Sequence, residues 1–274
     1  MRDLVTTPPA ASADIDAAER AWLTDRMLGT RIAADPFPHL YVDNFLPSGV
    51  YERLVAAWPP DSAFRANKNR QKLDLVPTDA YADKLTDPFK ALPVEMRAVW
   101  RSFAELNRTI VGPWLASLFA DHIRERVALL QQLVAEGKTD IRAAGLASGT
   151  VQANVGRPMM RGKGYKLAPH VDPAYYLVTA LHYFAEDADD GYGTRLFRAS
   201  RPVPLESFVK DGTTEYFEPH GIAVTESACL PFRPNSFLAF PNLLDAAHGV
   251  VAPSSGYRKA FQYHLSLKAD DEPL

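Results

Sequence analysis

Apolar positions in the first half of the chain recur at helical spacing, and in the second half they alternate. Up to about residue 145 the pattern predicts mostly helix. Ser12 or Asp14 is placed to cap a helix that runs to Gly29. The stretch DPFPHLYVDNFLP reads as a short strand bounded by prolines. After Pro47, the residues Val50, Tyr51, Leu54, Val55 and Trp58 predict a second helix, which Pro59 and Pro60 stop. Residues 61–88 are polar and predict no regular element. Helices are expected over 92–108 and 114–136, the last ending at Gly137.

From about residue 147 the period shortens. Strands are expected over 149–155, 165–170, 175–184, 194–199, 222–230, 236–240, 247–251 and 257–267. Turn residues punctuate them, among them Asp189-Asp190-Gly191, Pro234-Asn235 and Ser254-Ser255-Gly256. Short strands at this spacing indicate a sandwich or barrel. With no convincing linker, residues 1–274 are expected to form one domain: a mostly helical part, 1–145, packed on a β core, 146–270. The roughly 25 residues between Arg198 and Thr225 exceed an ordinary hairpin loop and suit a lid.

Composition narrows the chemistry. The lone cysteine, Cys229, allows neither a disulfide framework nor a thiolate metal site, so any metal must be held by histidine and carboxylate. A net charge of −3 gives no sign of a nucleic-acid partner. The most apolar stretch, 110–120, is too short for a bilayer and contains Pro113, and the N-terminus lacks a signal-like apolar run. A cytoplasmic protein is expected.

His170 and Asp172, in LAPHVDP, are two apart on an expected strand and so project to one face. His248, in DAAHGVV, offers a third ligand 76 residues after Asp172. Two imidazoles and one carboxylate on one face of an octahedron leave three open positions, which suits non-heme iron(II). Taken alone, His-x-Asp is also what a core histidine held by a carboxylate looks like. Arg258 opens an apolar strand and shares one face with Ala260, Gln262 and His264. A guanidinium buried there needs a negative partner, and a dicarboxylate would provide one. A surface cation is the plainer alternative.

The series VQANV, GYKLAPHVDP, YLVTALHYFAEDADDGYGTRLFR, PFRPNSFLAFPN and AAHGVVAPSSGYRKAFQYHL resembles the prolyl-hydroxylase-like branch of the iron(II)/2-oxoglutarate-dependent oxygenases. The resemblance covers roughly residues 149–267 and rests on the order of separated elements. It implies a mainly β fold, a double-stranded β-helix (jelly roll, cupin-like) with flanking helices. It implies His170, Asp172 and His248 as ligands of Fe(II), and Arg258 on the distal carboxylate of 2-oxoglutarate. Tyr183 stands where that branch often has a tyrosine on the same carboxylate. Thr179, on the same strand face, either lines the pocket or simply packs. Gln152 and Asn154 share a face of the first core strand and either meet co-substrate or substrate or satisfy each other. The implied reaction uses dioxygen, hydroxylates an unactivated carbon and releases succinate and carbon dioxide. A carboxylate at Asp172, where related halogenases carry a small residue, favours hydroxylation over halogenation.

The chain departs from the pattern in reading Gly191-Tyr192-Gly193 for a glycine pair and Asn235 for a late glycine. The substrate is expected to be a small molecule or an amino-acid or peptidyl residue. It would be anionic if Arg157, Arg161, Lys163 and Lys166 flank the mouth together with Arg65, Lys68, Arg70 and Lys72; otherwise these are solvated faces. Two rival readings are a cupin-like metalloenzyme that uses no 2-oxoglutarate and a jelly-roll binding module without catalysis. Neither gives Arg258 and the three ligands a joint purpose.

Overall fold

The structure is a computed structural model and describes residues 15–66, 72–75, 89, 91–138, 151–153, 156–189, 191–210, 214–251 and 256–267. Its helices are α1 (Ala17–Leu28), α2 (Ser48–Ala56), α3 (Val94–Leu106), α4 (Gly112–Leu118), α5 (Ala120–Ala135) and α6 (Leu205–Lys210). The cap of α1 is Asp16, not Ser12 or Asp14, both of which lie outside the described residues. Asp16 and Glu19 exchange side-chain-to-backbone bonds in a capping box. The helix expected over 114–136 is two: the backbone leaves helical values at Phe119, between α4 and α5. Between α3 and α4 the chain winds through a π turn over Asn107–Val111.

The strands are β1 (Leu40–Val42), β2 (Arg65–Ala66), β3 (Lys72–Asp74), β4 (Val151–Ala153), β5 (Arg157–Arg161), β6 (Lys166–Val171), β7 (Tyr176–Tyr183), β8 (Thr194–Ala199), β9 (Glu215–Tyr216), β10 (Val224–Cys229), β11 (Phe237–Pro241), β12 (His248–Val251) and β13 (Arg258–Leu267). Three things differ from expectation, one of them β9, a two-residue strand inside the segment expected to suit a lid. The polar segment after residue 61 contributes the β2–β3 pair, and β5 is a strand where none was predicted. Both gain their pairing from distant chain: β3 pairs β5, and β5 pairs β13. That partner is not visible in local sequence.

An eight-stranded sheet runs β1-β11-β7-β13-β5-β3-β2, with β4 also on β13; a five-stranded sheet runs β10-β8-β12-β6-β9. From β5 onward the chain passes from large sheet to small and back: β5, β7, β11 and β13 lie in the first, β6, β8, β10 and β12 in the second. All these pairings are antiparallel. This connectivity is that of a double-stranded β-helix.

The large sheet is covered on both faces, and alternation along its strands sorts its side chains. Val178 and Ala180 of β7, Phe184 just after it, Phe237 and Ala239 of β11, and Phe261, Tyr263 and Leu265 of β13 pack against Trp100, Phe103, Leu106 and Phe119 of the helical part. Trp100 stacks on Phe261 with ring centres 5.7 Å apart, and its Nε1 donates to the Ala57 carbonyl at 2.7 Å. The alternate residues Leu181, Tyr183, Leu238, Phe240 and Ala260 face inward and meet Leu196 of the small sheet. Asn235 adopts the left-handed conformation that its replacement of a glycine requires, with φ of 54°. Its amide bonds both the N–H and the carbonyl of Leu46, at 2.9 and 2.8 Å. The expected strand-like segment around β1 is thereby pinned to the sheet at β11. No helix among the described residues is long and apolar enough to cross a membrane.

His182 lies in the helix-facing core, 2% exposed, with Nε2 2.9 Å from Asn107 Oδ1 in the π turn. Burial pushes its pKa from 6.5 down to about 3. Between those two pH values the unfolded chain holds a proton that the folded chain does not. Stability is therefore full above pH 6.5 and is lost as the pH falls toward 3. The expected loss from this group is about 1.4 kcal/mol per pH unit. Urea denaturation across that range should show the loss, and the double variant Asn107→Leu, His182→Phe should flatten it. An unchanged slope in the variant would refute the assignment.

Candidate functional site

His170 and His248 are cross-strand partners in the β6–β12 pairing, which explains how residues so far apart in sequence meet. The register shifts immediately beyond them, with Val250 opposite Leu167. The extra residue lies on β6, where Ala168 and Pro169 form a bulge; proline has no N–H to give a ladder and is tolerated there. Gly249 is required by the close approach of β6: a Cβ at that position would lie 2.6 Å from the Leu167 carbonyl oxygen.

Asp172 completes the cluster just past the end of β6. His170 Nε2 lies 3.6 Å from Asp172 Oδ1, and His248 Nε2 lies 3.6 Å from Asp172 Oδ2. One ligand atom from each of the three residues falls within 4.8 Å of the others. All three side chains are buried. Each histidine is oriented by its other nitrogen: His170 Nδ1 is 2.9 Å from the Ala168 carbonyl, and His248 Nδ1 is 3.0 Å from that of Ala246. A carbonyl can only accept, so Nδ1 carries the proton and Nε2 presents its lone pair to the cluster. Burial, reinforced by His170, lowers the His248 pKa to about 4 against the attraction of Asp172, and so keeps the ring neutral. Burial opposes ionisation of Asp172, and it is as protonated rings that His248 and His170 outweigh it and hold the carboxyl well below its ordinary range. Two neutral imidazole nitrogens and an ionised carboxylate are a donor set that fits a divalent transition metal.

The carboxylate is fixed from behind. Thr179 of β7 donates its hydroxyl to Asp172 Oδ2. Asn242, after β11, directs its amide nitrogen at three carbonyls of the turn that carries the ligand: Asp172 at 3.0 Å, Pro173 at 2.9 Å and Tyr176 at 3.0 Å. Asn242 is in turn tied to α5, since the Arg126 guanidinium donates to its backbone carbonyl and lies 4.4 Å over the Phe208 ring. Asn242 escaped the sequence reading because its partners come from the far side of the fold.

Arg258 is 1% exposed on the inward face of β13. Nε donates to the Tyr192 carbonyl at 3.1 Å, and Nη2 donates to the Tyr183 hydroxyl at 2.8 Å and to Thr194 Oγ1 at 3.0 Å. The two hydroxyls lie 2.7 Å apart. Among the described residues no carboxylate pairs with this guanidinium. Gly193 makes the cradle possible, because a Cβ there would fall 1.4 Å from the Leu230 carbonyl oxygen. Thr194 and Leu196 share one face of β8, and Leu196 is the cross-strand partner of His248, so the cradle and the His-Asp-His cluster open into the same interior. Thr194 was not singled out in the sequence; its place follows from register alone.

Of the other candidates, Arg161, Lys163 and Lys166 have described side chains. Asn154 and the side chain of Gln152 lie outside the described residues. Arg161 is buried directly across from Arg258, with Nη1 3.1 Å from the Met160 carbonyl, and is not part of an exposed rim. Lys163 and Lys166 are exposed. Lys68 and Arg70, and the side chains of Arg65, Lys72 and Arg157, lie outside the described residues. The segment after β8 is built of α6 and β9, and β9 pairs with the His170 end of β6.

No family model matches the chain, and no curated protein matches it. Among solved structures, it is similar to a prolyl hydroxylase from Trichoplax adhaerens in complex with a hypoxia inducible factor oxygen degradation domain peptide fragment (12% identity, 91% of each chain, TM-score 0.44). It is also similar to an oxidoreductase of the 2OG-Fe(II) oxygenase family from Burkholderia pseudomallei (9% identity, 90% of this chain and 91% of that one, TM-score 0.43). A third is the non-heme alpha ketoglutarate dependent epimerase SnoN from nogalamycin biosynthesis (12% identity, 92% and 82%, TM-score 0.40). The assignment of the fold rests on the strand connectivity and not on these likenesses.

Replacing Asn242 by alanine leaves the buried carbonyls of the Asp172 turn without their donor. The variant should lose about 1–3 kcal/mol of stability in urea denaturation of the metal-free protein. A loss near zero would mean that water replaces the amide.

Proposed function

We propose that the chain is an iron(II)- and 2-oxoglutarate-dependent oxygenase that hydroxylates an unactivated carbon of a small-molecule, amino-acid or peptidyl substrate. One observation carries this reading: a metal-fitting triad and a buried guanidinium without a carboxylate partner among the described residues open into the same interior. A buried guanidinium unmatched by an acid is costly, and a dicarboxylate that also reaches the metal removes the cost. When bound, iron(II) and 2-oxoglutarate supply the activation of dioxygen, with succinate and carbon dioxide as products.

The chain's own residues do the positioning. His170, Asp172 and His248 would hold the metal on one face and leave the other face to ligands. Arg258 would take the distal carboxylate of 2-oxoglutarate, with the Tyr183 and Thr194 hydroxyls completing its recognition. Thr179 would act on Asp172 by fixing its second oxygen. A carboxylate at position 172 fills the place a halide would need, which favours hydroxylation. The inward side chains of β7, β8, β11 and β13 keep the interior dry.

Anaerobic titration with iron(II) and 2-oxoglutarate tests the reading through the visible absorption of the bidentate complex. A weak charge-transfer band requiring both additions is expected in the wild type, and none in His170→Ala. Arg258→Ala should bind 2-oxoglutarate more weakly by about 2–5 kcal/mol. Thr179→Val should bind iron about 10- to 100-fold more weakly. No band in a folded wild type would overturn the proposal.

A further inference from the structure

The buried stripe of α5 carries one residue that packing does not call for. Ile123, Arg126, Leu130 and Leu133 recur at helical spacing and are the buried residues of this helix. Three of them are apolar; Arg126 is 5% exposed. Burial pushes its pKa down to about 10 against the attraction of Asp245. Its Nη1 has no hydrogen-bond partner among the described residues. A leucine or methionine would fill the stripe at less cost, because a buried charge is expensive unless fully matched. What the arginine supplies is direction. Its Nη2 donates to the backbone carbonyl of Asn242, and its guanidinium carbon lies 4.4 Å from the centre of the Phe208 ring.

Asn242 is the residue whose amide holds the Asp172 turn by three carbonyls. That grip is only as firm as the backbone behind it. The Asn242 N–H donates to the Leu177 carbonyl at 2.9 Å, and the Asn242 carbonyl is held by Arg126. Arg126 therefore stands two hydrogen bonds from the Asp172 backbone. The same helix also packs behind the two histidines. Leu130 and Leu133 share a cluster with Val171, which lies between His170 and Asp172, and with Ala247, which precedes His248. Phe208 and Phe217 belong to that cluster too. Phe217 follows Tyr216, the cross-strand partner of His170, whose ring centre lies 5.8 Å from that of the histidine. Apolar packing is non-directional, and the Arg126–Asn242 bond adds the direction it lacks.

We propose that Arg126 is a positioning residue: through Asn242 it fixes the Asp172 turn relative to His170 and His248. That the held carboxylate serves a metal rests on the function proposed above; that Arg126 holds it does not.

Cobalt(II) titration of the full chain, read by the visible d–d bands of the bound ion, tests this. Arg126→Met keeps an apolar stem and removes the donor. It should weaken cobalt binding about tenfold. Leu23→Ala, a core truncation in the distant α1, lowers stability without touching this path and should leave cobalt affinity unchanged. In an Asn242→Ala background the grip on the turn is already gone. There Arg126→Met should change the affinity by less than about twofold. Unchanged affinity in Arg126→Met, an equal loss in Leu23→Ala, or the same tenfold loss in the Asn242→Ala background would overturn the inference. Failure of the wild type to bind cobalt would instead sink the proposed function. The inference would then be decided without metal, by hydrogen exchange of the Asn242 side-chain amide read by NMR. Exchange about tenfold faster in Arg126→Met than in the wild type supports it, and equal exchange overturns it.

Discussion

The pairing of His170 with His248 across β6 and β12 is the contact on which the candidate site depends. Side chains alternate along a strand, so a slip of one residue would send His248 to the opposite face and remove it from the cluster. Three local features hold the register. Pro169 sits in the β6 bulge, Gly249 admits the close approach of that bulge, and the Ala168 and Ala246 carbonyls orient the two rings. The bulge is therefore part of the site geometry, since the carbonyl that orients His170 belongs to it.

Around that pair the fold assembles polar groups inside an apolar barrel. Burying them would be expensive if each were not matched. Thr179 is matched to Asp172, Asn242 to the ligand turn, and Tyr183, Thr194 and the Tyr192 carbonyl to Arg258. Among the described residues no carboxylate matches the charge of Arg258, and because that guanidinium faces the same interior as the His-Asp-His cluster it is the strongest physical argument for an anionic ligand there. Among the described residues the helical part contributes no side chain to the His-Asp-His cluster or to the Arg258 cradle. It covers the outer face of the large sheet, with Trp100, Phe103 and Phe119 packed on the side chains that alternate with the interior ones. Through Arg126 it also reaches the carbonyl of Asn242, one step from Asp172.

Some of this was legible in the sequence. Alternation and turn residues marked most core strands, because a strand with both faces buried still needs punctuation at its ends. The i, i+2 spacing of His170 and Asp172 sufficed to place them on one face, and the inward face of β13 carries Arg258, Ala260, Gln262 and His264 as the pattern indicated. The cap of α1 and the break at Phe119 were misplaced or missed, and each turns on a local conformation that several residue types allow. The β2–β3 pair was missed because β3 takes its place in the sheet from the distant strand β5.

What the sequence alone determined is therefore most of the elements and the identity of the groups with chemistry in them, since these follow from short-range periodicity and from side-chain functional groups. Tertiary structure alone decided which distant residues became neighbours. The pairing of β12 with β6, the strand status of β5, the cradle that Tyr183 and Thr194 make for Arg258, and the placing of Tyr216 beside His170 all depend on register between strands far apart in the chain. Register is set by the packing of whole faces, and no local pattern encodes it.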